Sequence, residues 1–310
     1  MLMKNEFYYP SSDGINQIHA IEWIPEGEVQ AVLQMCHGMV EYIDRYHEFA
    51  EFLAKNGYYV VGHDHLGHGK SVTDLEKLGF FHEKNGNKYV VADIHRLRQD
   101  TQTKCPNVPY FIMGHSMGSF LVRQYIGIYG EGLSGAIIMG TGDQLNFVLG
   151  AGKMLCKLIA TCKGWNYRSK LVDSMAAGGY NKRFKGETDT SGWLSRNPEN
   201  GAKYINDPLC GYMFTVNGYY HMFAGMKKMN SQEKGEKIPK ELPVFFVAGA
   251  QDPVGNFGKG VEKVFKRYQK CGMKNVTMKL YENDRHEILN ECDKEQVYQD
   301  ILAWFTKNNS

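Results

Sequence analysis

Gly114-His115-Ser116-Met117-Gly118 sets a serine between two glycines, directly after the apolar run Tyr110-Phe111-Ile112-Met113 and directly before a helix-like pattern. This is the strand–turn–helix setting of a nucleophile elbow, in which a tight, strained turn presents the serine hydroxyl at the end of a strand. Glycines on both sides suit it, because a Cβ at either position would clash across the crossing. A serine hydroxyl is a poor nucleophile until a base takes its proton and an acid orients that base. Two later strand ends can supply these groups. The apolar run 244–250 leads into Gln251-Asp252-Pro253-Val254, and the run 276–281 leads into Glu282-Asn283-Asp284-Arg285-His286. Asp252 is therefore the expected acid. His286, alone among 11 histidines in following the last strand, is the expected base. Asp143, just after the run 135–139, is the rival acid.

The oxyanion formed by attack on a carbonyl needs two backbone N–H donors. One is expected from Met117, at the start of the helix after the serine, and the other from Met39 in the His37-Gly38-Met39 loop. His37 and His115 are expected to be structural, hydrogen-bonding the loops around that hole. Two rival chemistries are weaker. His63-Asp64-His65-Leu66-Gly67-His68 is similar to the His-x-His-x-Asp-His cluster of dinuclear zinc hydrolases, but Gly67 stands where that cluster needs an aspartate. Cys36-His37 would make a thiol dyad, but neighbours on a strand point to opposite faces. No metal is expected.

The elements that must position these residues can be read from hydrophobic periodicity. Runs at 7–9, 18–24 and 31–35 read as strands separated by Ser-Asp-Gly and Pro-Glu-Gly turns. Helices are expected at 45–55, 89–103, 117–129, 258–270 and 294–308, and further strands at 58–61, 110–113, 135–139, 244–250 and 276–281. Short strands alternating with helices imply right-handed βαβ units and a mainly parallel sheet. Residues 141–237 interrupt the alternation. This stretch is rich in Gly, Met and aromatics and carries fourteen Lys/Arg against eight Asp/Glu. Within it Phe147, Val148, Ala151, Met154, Leu155, Leu158 and Ile159 fall at helical spacing, with Lys153 and Lys157 between them. The stripe is expected to pack on the core of a small helical unit. Its second use is as a lid facing substrate or a lipid surface.

Composition narrows the classes further. Lys+Arg 36 against Asp+Glu 34 gives a net charge of +2, which is no signature of nucleic-acid binding. The N-terminus meets Glu6 before any apolar core and is not read as a secretory signal. No apolar run approaches the roughly 18 residues of a membrane span. Seven cysteines without a repeated spacing fit reduced thiols in a cytoplasm.

Four motifs in order carry a resemblance: His37-Gly38-Met39 with Glu41 and Arg45-Tyr46, then Asp64-His65-Leu66-Gly67-His68-Gly69-Lys70-Ser71, then Gly114-His115-Ser116-Met117-Gly118, then Asp252-Pro253 with His286. Together they resemble the monoacylglycerol lipase/lysophospholipase branch of the α/β-hydrolases. Asn283 stands where those lipases often have glycine. The resemblance implies an α/β-hydrolase fold, with a core at 1–140 and 238–310 and an inserted, mostly helical cap at 141–237. It implies serine hydrolysis of acyl esters through Ser116, Asp252 and His286, without metal or organic cofactor. An amidase or aminopeptidase-like enzyme on the same scaffold is the alternative, and a non-catalytic binding homologue a remote one. Phe147, Met154, Phe214 and Tyr219 are the expected acyl-binding residues of the cap. The expected partner is a small acyl ester, with transient membrane-surface contact through the cap; the oligomeric state is left open.

Overall fold

The computed structural model describes residues 2–184, 186, 191–234 and 237–309. Its centre is an eight-stranded sheet built from β1 (Met3–Pro10), β2 (Gln17–Ile24), β3 (Ala31–Cys36), β4 (Tyr58–His63), β5 (Tyr110–His115), β6 (Gly135–Met139), β7 (Val244–Gly249) and β8 (Val276–Tyr281). The spatial order is β1-β2-β4-β3-β5-β6-β7-β8. From β4 to β8 all pairings are parallel, and β2 alone runs against its neighbours. Every residue of β3 to β7 is buried. That is why these strands read as continuous apolar runs: a parallel sheet is covered on both faces.

On one face α1 (His47–Lys55) and α9 (Lys294–Lys307) pack Phe49, Leu53, Ile301 and Phe305 against Leu33, Val60 and Phe111. On the other, α2 (Gly86–Lys104), α3 (Met117–Tyr129) and α8 (Lys259–Lys270) contribute Ile94, Val122 and Val264. The chain leaves β3 to one side for β4 and crosses back over it to β5. The strand order therefore reverses beside the carboxyl ends of β3 and β5, where ligands bind in sheets of this kind.

Between β6 and β7 lie α4 (Asn146–Lys163), α5 (Lys170–Ala176), α6 (Pro198–Asn206) and α7 (Val216–Lys234). The α6 start follows its local sequence: Asn197 accepts the Glu199 N–H at 3.1 Å and Pro198 opens the helix. The stripe expected on α4 is corrected in part: Leu155 and Ile159 pack against the core as expected, but the rest of the stripe does not. The helix buries Leu149, Gly152, Cys156 and Ala160, whereas Phe147, Met154 and Leu158 face outward. The cause is α7. A Cβ on Gly152 would come within 2.8 Å of the Phe223 ring, so the small-residue face is the one that lets the two helices close.

Smaller differences lie at element ends. The first strand is longer than its apolar run because pairing with β2 extends it. The helix expected at 45–55 opens with a 3₁₀ turn, Ile43–Tyr46, before α1 begins. Among the described residues no helix is long and apolar enough to cross a membrane.

Candidate active site

Ser116 sits between β5 and α3 with φ 53° and ψ −119°. This is a conformation that residues with a Cβ rarely adopt, and one that persists only when the surroundings enforce it. They do so by hydrogen bonds: Ser116 N–H donates to Met139 O at 3.0 Å, and Ser119 Oγ donates to Ser116 O at 2.6 Å. The flanking glycines are required by contact. A Cβ on Gly114 would strike the Gly118 carbonyl, and one on Gly118 would strike the Cys36 carbonyl of β3.

Asp252, in the turn after β7, and His286, in the loop after β8, are brought together across 34 residues of chain. His286 Nδ1 lies 2.9 Å from Asp252 Oδ2, with both side chains buried. The other Asp252 oxygen accepts the Val254 N–H at 2.8 Å. The rival Asp143 is held elsewhere, by Arg267 and by Lys263 at 2.6 Å. Partial burial opposes its charge, but those two cations keep its carboxyl below the usual range. Arg267 and Arg123 together also grip Glu233 of α7, fixing the end of that helix to α3 and α8.

Met39 and Met117 both border the cavity beside Ser116. Met117 is the first residue of α3, a position where the N–H has no intrahelical acceptor. The loop bearing Met39 passes close to the serine: a Cβ on Gly38 would lie 3.1 Å from Ser116 Cβ. That loop holds Val40 at φ 53°, an outlier for a β-branched residue, and the Val40 carbonyl accepts the Gly211 N–H at 3.0 Å. His37 Nε2 accepts the His65 N–H at 2.9 Å, tying the loop to the one after β4. In that second loop Asp64 is occupied by His19 and by the N–H groups of Ile43 and Lys70.

Behind the serine a buried charge network joins several of these parts. Glu41 accepts the Gly38 N–H (2.6 Å) and the Tyr46 hydroxyl (2.8 Å), and pairs with Arg45 (2.5 Å). Arg45 also makes a bidentate pair with Glu287 at 2.8 and 2.7 Å. Because the Tyr46 hydroxyl donates to Glu41, it accepts from His115 Nδ1 at 2.8 Å, while His115 Nε2 donates to the His286 carbonyl at 3.1 Å. Both His115 nitrogens are then donors, which is the imidazolium form. Burial works against that charge, but Glu41 outweighs it and raises His115 above its ordinary value. For Glu41 burial likewise disfavours ionisation, and Arg45 and His115 overcome it, so its carboxyl stays well below the usual range. Asn200 of α6 completes the network, donating to Glu287 at 2.7 Å.

The serine and His286 open into a cavity of about 150 Å³. Its far wall is apolar, with Leu149 and Leu155 of α4, Val172 of α5, and Met222 and Phe223 of α7. The four residues expected to bind an acyl group are not on this wall. Phe147 and Met154 are 84% and 66% exposed on the outer face of α4. Phe214 is wholly buried against Phe81 and His68, and Tyr219 is buried with its hydroxyl on Asp173 at 2.5 Å. The period of α4 gave no choice between its two apolar faces. Glu287, Asn200 and Trp193, all beside the site, carried no signal of their own, since their partners lie tens to hundreds of residues away.

The sheet order, the strained serine turn and the buried Asp252–His286 pair define an α/β-hydrolase. The chain belongs to the serine aminopeptidase, S33 family, whose model matches residues 27–293. It is 34% identical to the monoglyceride lipase of Homo sapiens, over 93% of this chain and 86% of that one. It is 23% identical to the monoacylglycerol lipase of Mycolicibacterium smegmatis, over 98% of each. Its structure is similar to a thermostable carboxyl esterase from Bacillus coagulans in complex with glycerol, with a TM-score of 0.91, 29% identity and 100% coverage of both chains.

Proposed function

We propose that the protein is a serine hydrolase that cleaves carboxylic esters of acyl chains, of the monoacylglycerol lipase, lysophospholipase or carboxylesterase type. One observation carries this reading: a strained serine beside a buried Asp–His pair opens into an apolar cavity. Ser116 Oγ attacks the ester carbonyl as His286 takes its proton. The Met39 and Met117 amides hold the oxyanion, and Asp252 keeps the proton on Nδ1 and stabilises the imidazolium. His286 returns the proton to the leaving alcohol. It then activates the water that frees the acid from the acyl-enzyme. No metal or organic cofactor enters these steps.

The aminopeptidase alternative is disfavoured by charge, and an amidase on the same scaffold is left to substrate comparison. A peptide N-terminus needs an available carboxylate. The carboxylates that line the cavity among the described residues, Glu41 and Glu287, are both taken by Arg45. Residues 141–237, of which 185, 187–190 and 235–236 lie outside the described residues, act as a cap that supplies the acyl wall. A void of about 150 Å³ holds a group of roughly benzene size. Longer chains leave between Val148 and Met175, which line the cavity yet are 49% and 60% exposed. Phe147, Met154 and Leu158 on the outer face of α4 leave apolar surface exposed, which suits brief contact with a lipid layer. The cellular setting we propose is the cytoplasm, in keeping with seven unpaired cysteines.

An ester panel of increasing acyl length, with Ser116→Ala as control, tests the reading. Octanoyl esters are expected to outrun acetyl esters; the reverse order would count against an acyl-chain hydrolase, and activity surviving in Ser116→Ala would sink the mechanism.

A further inference from the structure

The Trp193 indole packs on the His286 imidazole, with ring centroids 5.0 Å apart and planes tilted by 34°. Tyr180 packs in turn on Trp193, also at 5.0 Å. The indole is fixed from its backbone: Trp193 N–H donates to Asn181 Oδ1 at 3.1 Å, and its carbonyl accepts the His286 N–H at 3.4 Å. The same two stretches of chain stay bonded on either side. Arg285 donates to Gly192 O (2.7 Å), the Glu287 N–H donates to Leu194 O (2.7 Å), and the Arg196 N–H donates to the Glu291 carboxylate (3.1 Å). A segment inserted between β6 and β7 is thus laced along the loop that carries His286, and the aromatic face is held in place.

We infer that Trp193 is a positioning residue for His286, whose π face favours the imidazolium formed when Ser116 gives up its proton. The inference rests on the serine-hydrolase reading. As the proton passes from Ser116 Oγ to His286 Nε2, positive charge appears on the imidazole while Nδ1–H stays with Asp252. Indole is the strongest π partner for such a cation, most so away from water. The other charged and titratable groups facing the ring come from every neighbouring element: Asp252 after β7, the cationic His115 ring 4.6 Å away at the end of β5, Glu287 paired with Arg45, and Tyr180 behind Trp193. Asp252 favours the imidazolium and His115 opposes it. Trp193 adds attraction without adding charge.

Trp193→Leu and Trp193→Phe in the full chain test this, using a soluble short-chain ester across the pH range together with melting curves. Trp193→Leu should lower the plateau kcat about tenfold and move the acidic limb of the pH profile to lower pH, with Trp193→Phe intermediate on both. If Trp193 only kept water out, better solvation would move the limb to higher pH. A merely structural contact would leave it in place. Either result overturns the inference. Should Trp193→Leu fail to fold, Trp193→Phe decides by the same direction of shift. Ser116→Ala tests the underlying acyl-transfer reading separately, so the two failures are distinguishable.

Discussion

The strand ends that carry Ser116, Asp252 and His286, and the helices of residues 141–237 above them, are held by different means. At the strand ends backbone pairing sets position. Gly114 lies opposite Cys36 on β3 and Ile138 on β6, and that register leaves the Ser116 turn no alternative course. In the helical stretch, side chains decide. α4 has two apolar faces, and a contact as small as Gly152 against Phe223 selects the buried one. The first region is rigid because its geometry is over-determined. The second keeps exposed apolar surface, which allows it to vary in what it meets.

That contrast can be broken or sharpened by mutation. The largest effect is expected at the strand ends. Ser116→Ala should lower kcat by at least about 10³-fold with an unchanged melting temperature, since the chemistry and not the fold depends on the hydroxyl. Asp252→Ala should cost roughly 10⁴-fold in kcat, and Asp143→Ala less than about twofold, because Asp143 is spent on Lys263 and Arg267. If Asp143→Ala proved the more damaging to kcat, the acid would have been misassigned.

Where the helical stretch joins the core, Glu233→Gln leaves the buried Arg123 without its counter-ion. A loss of about 3 kcal/mol is expected by denaturant unfolding. A loss near zero would mean that the joint is not held by that pair.

Acid should weaken the core through its buried imidazoles. His63 and His68 are held down to about 3, chiefly by burial. The fold buries their neutral forms, whereas an unfolded histidine titrates near about 6.5. Their contribution is therefore complete above about pH 6.5 and is lost as pH falls toward 3. Melting temperatures should drop steadily between about pH 7 and about pH 5; a flat profile across that window would contradict the neutral assignment.

The smallest effect belongs to the outer face of α4. Phe147→Ser should leave kcat/KM on a soluble ester within about twofold and slow hydrolysis of an ester dispersed in vesicles. Equal rates on both substrates would remove the case for surface contact.

Much of this is legible in the sequence. The βαβ alternation, the elbow around Ser116 and the strand-end placement of Asp252 and His286 are local signals, because each depends on a few residues and a backbone conformation they impose. The sequence by itself thus determined the sheet, its strand ends and the residue types offered there. Only the tertiary structure decided which apolar face of α4 meets the cavity, and that Phe214 and Tyr219 belong to packing. It alone joined Glu41, Arg45 and Glu287 across 242 residues. The physical reason is that a helix's period states that a face is apolar but not against what. Likewise a buried charge states only that it needs a partner, and the partner's identity is fixed by chain segments that meet once the sheet has formed.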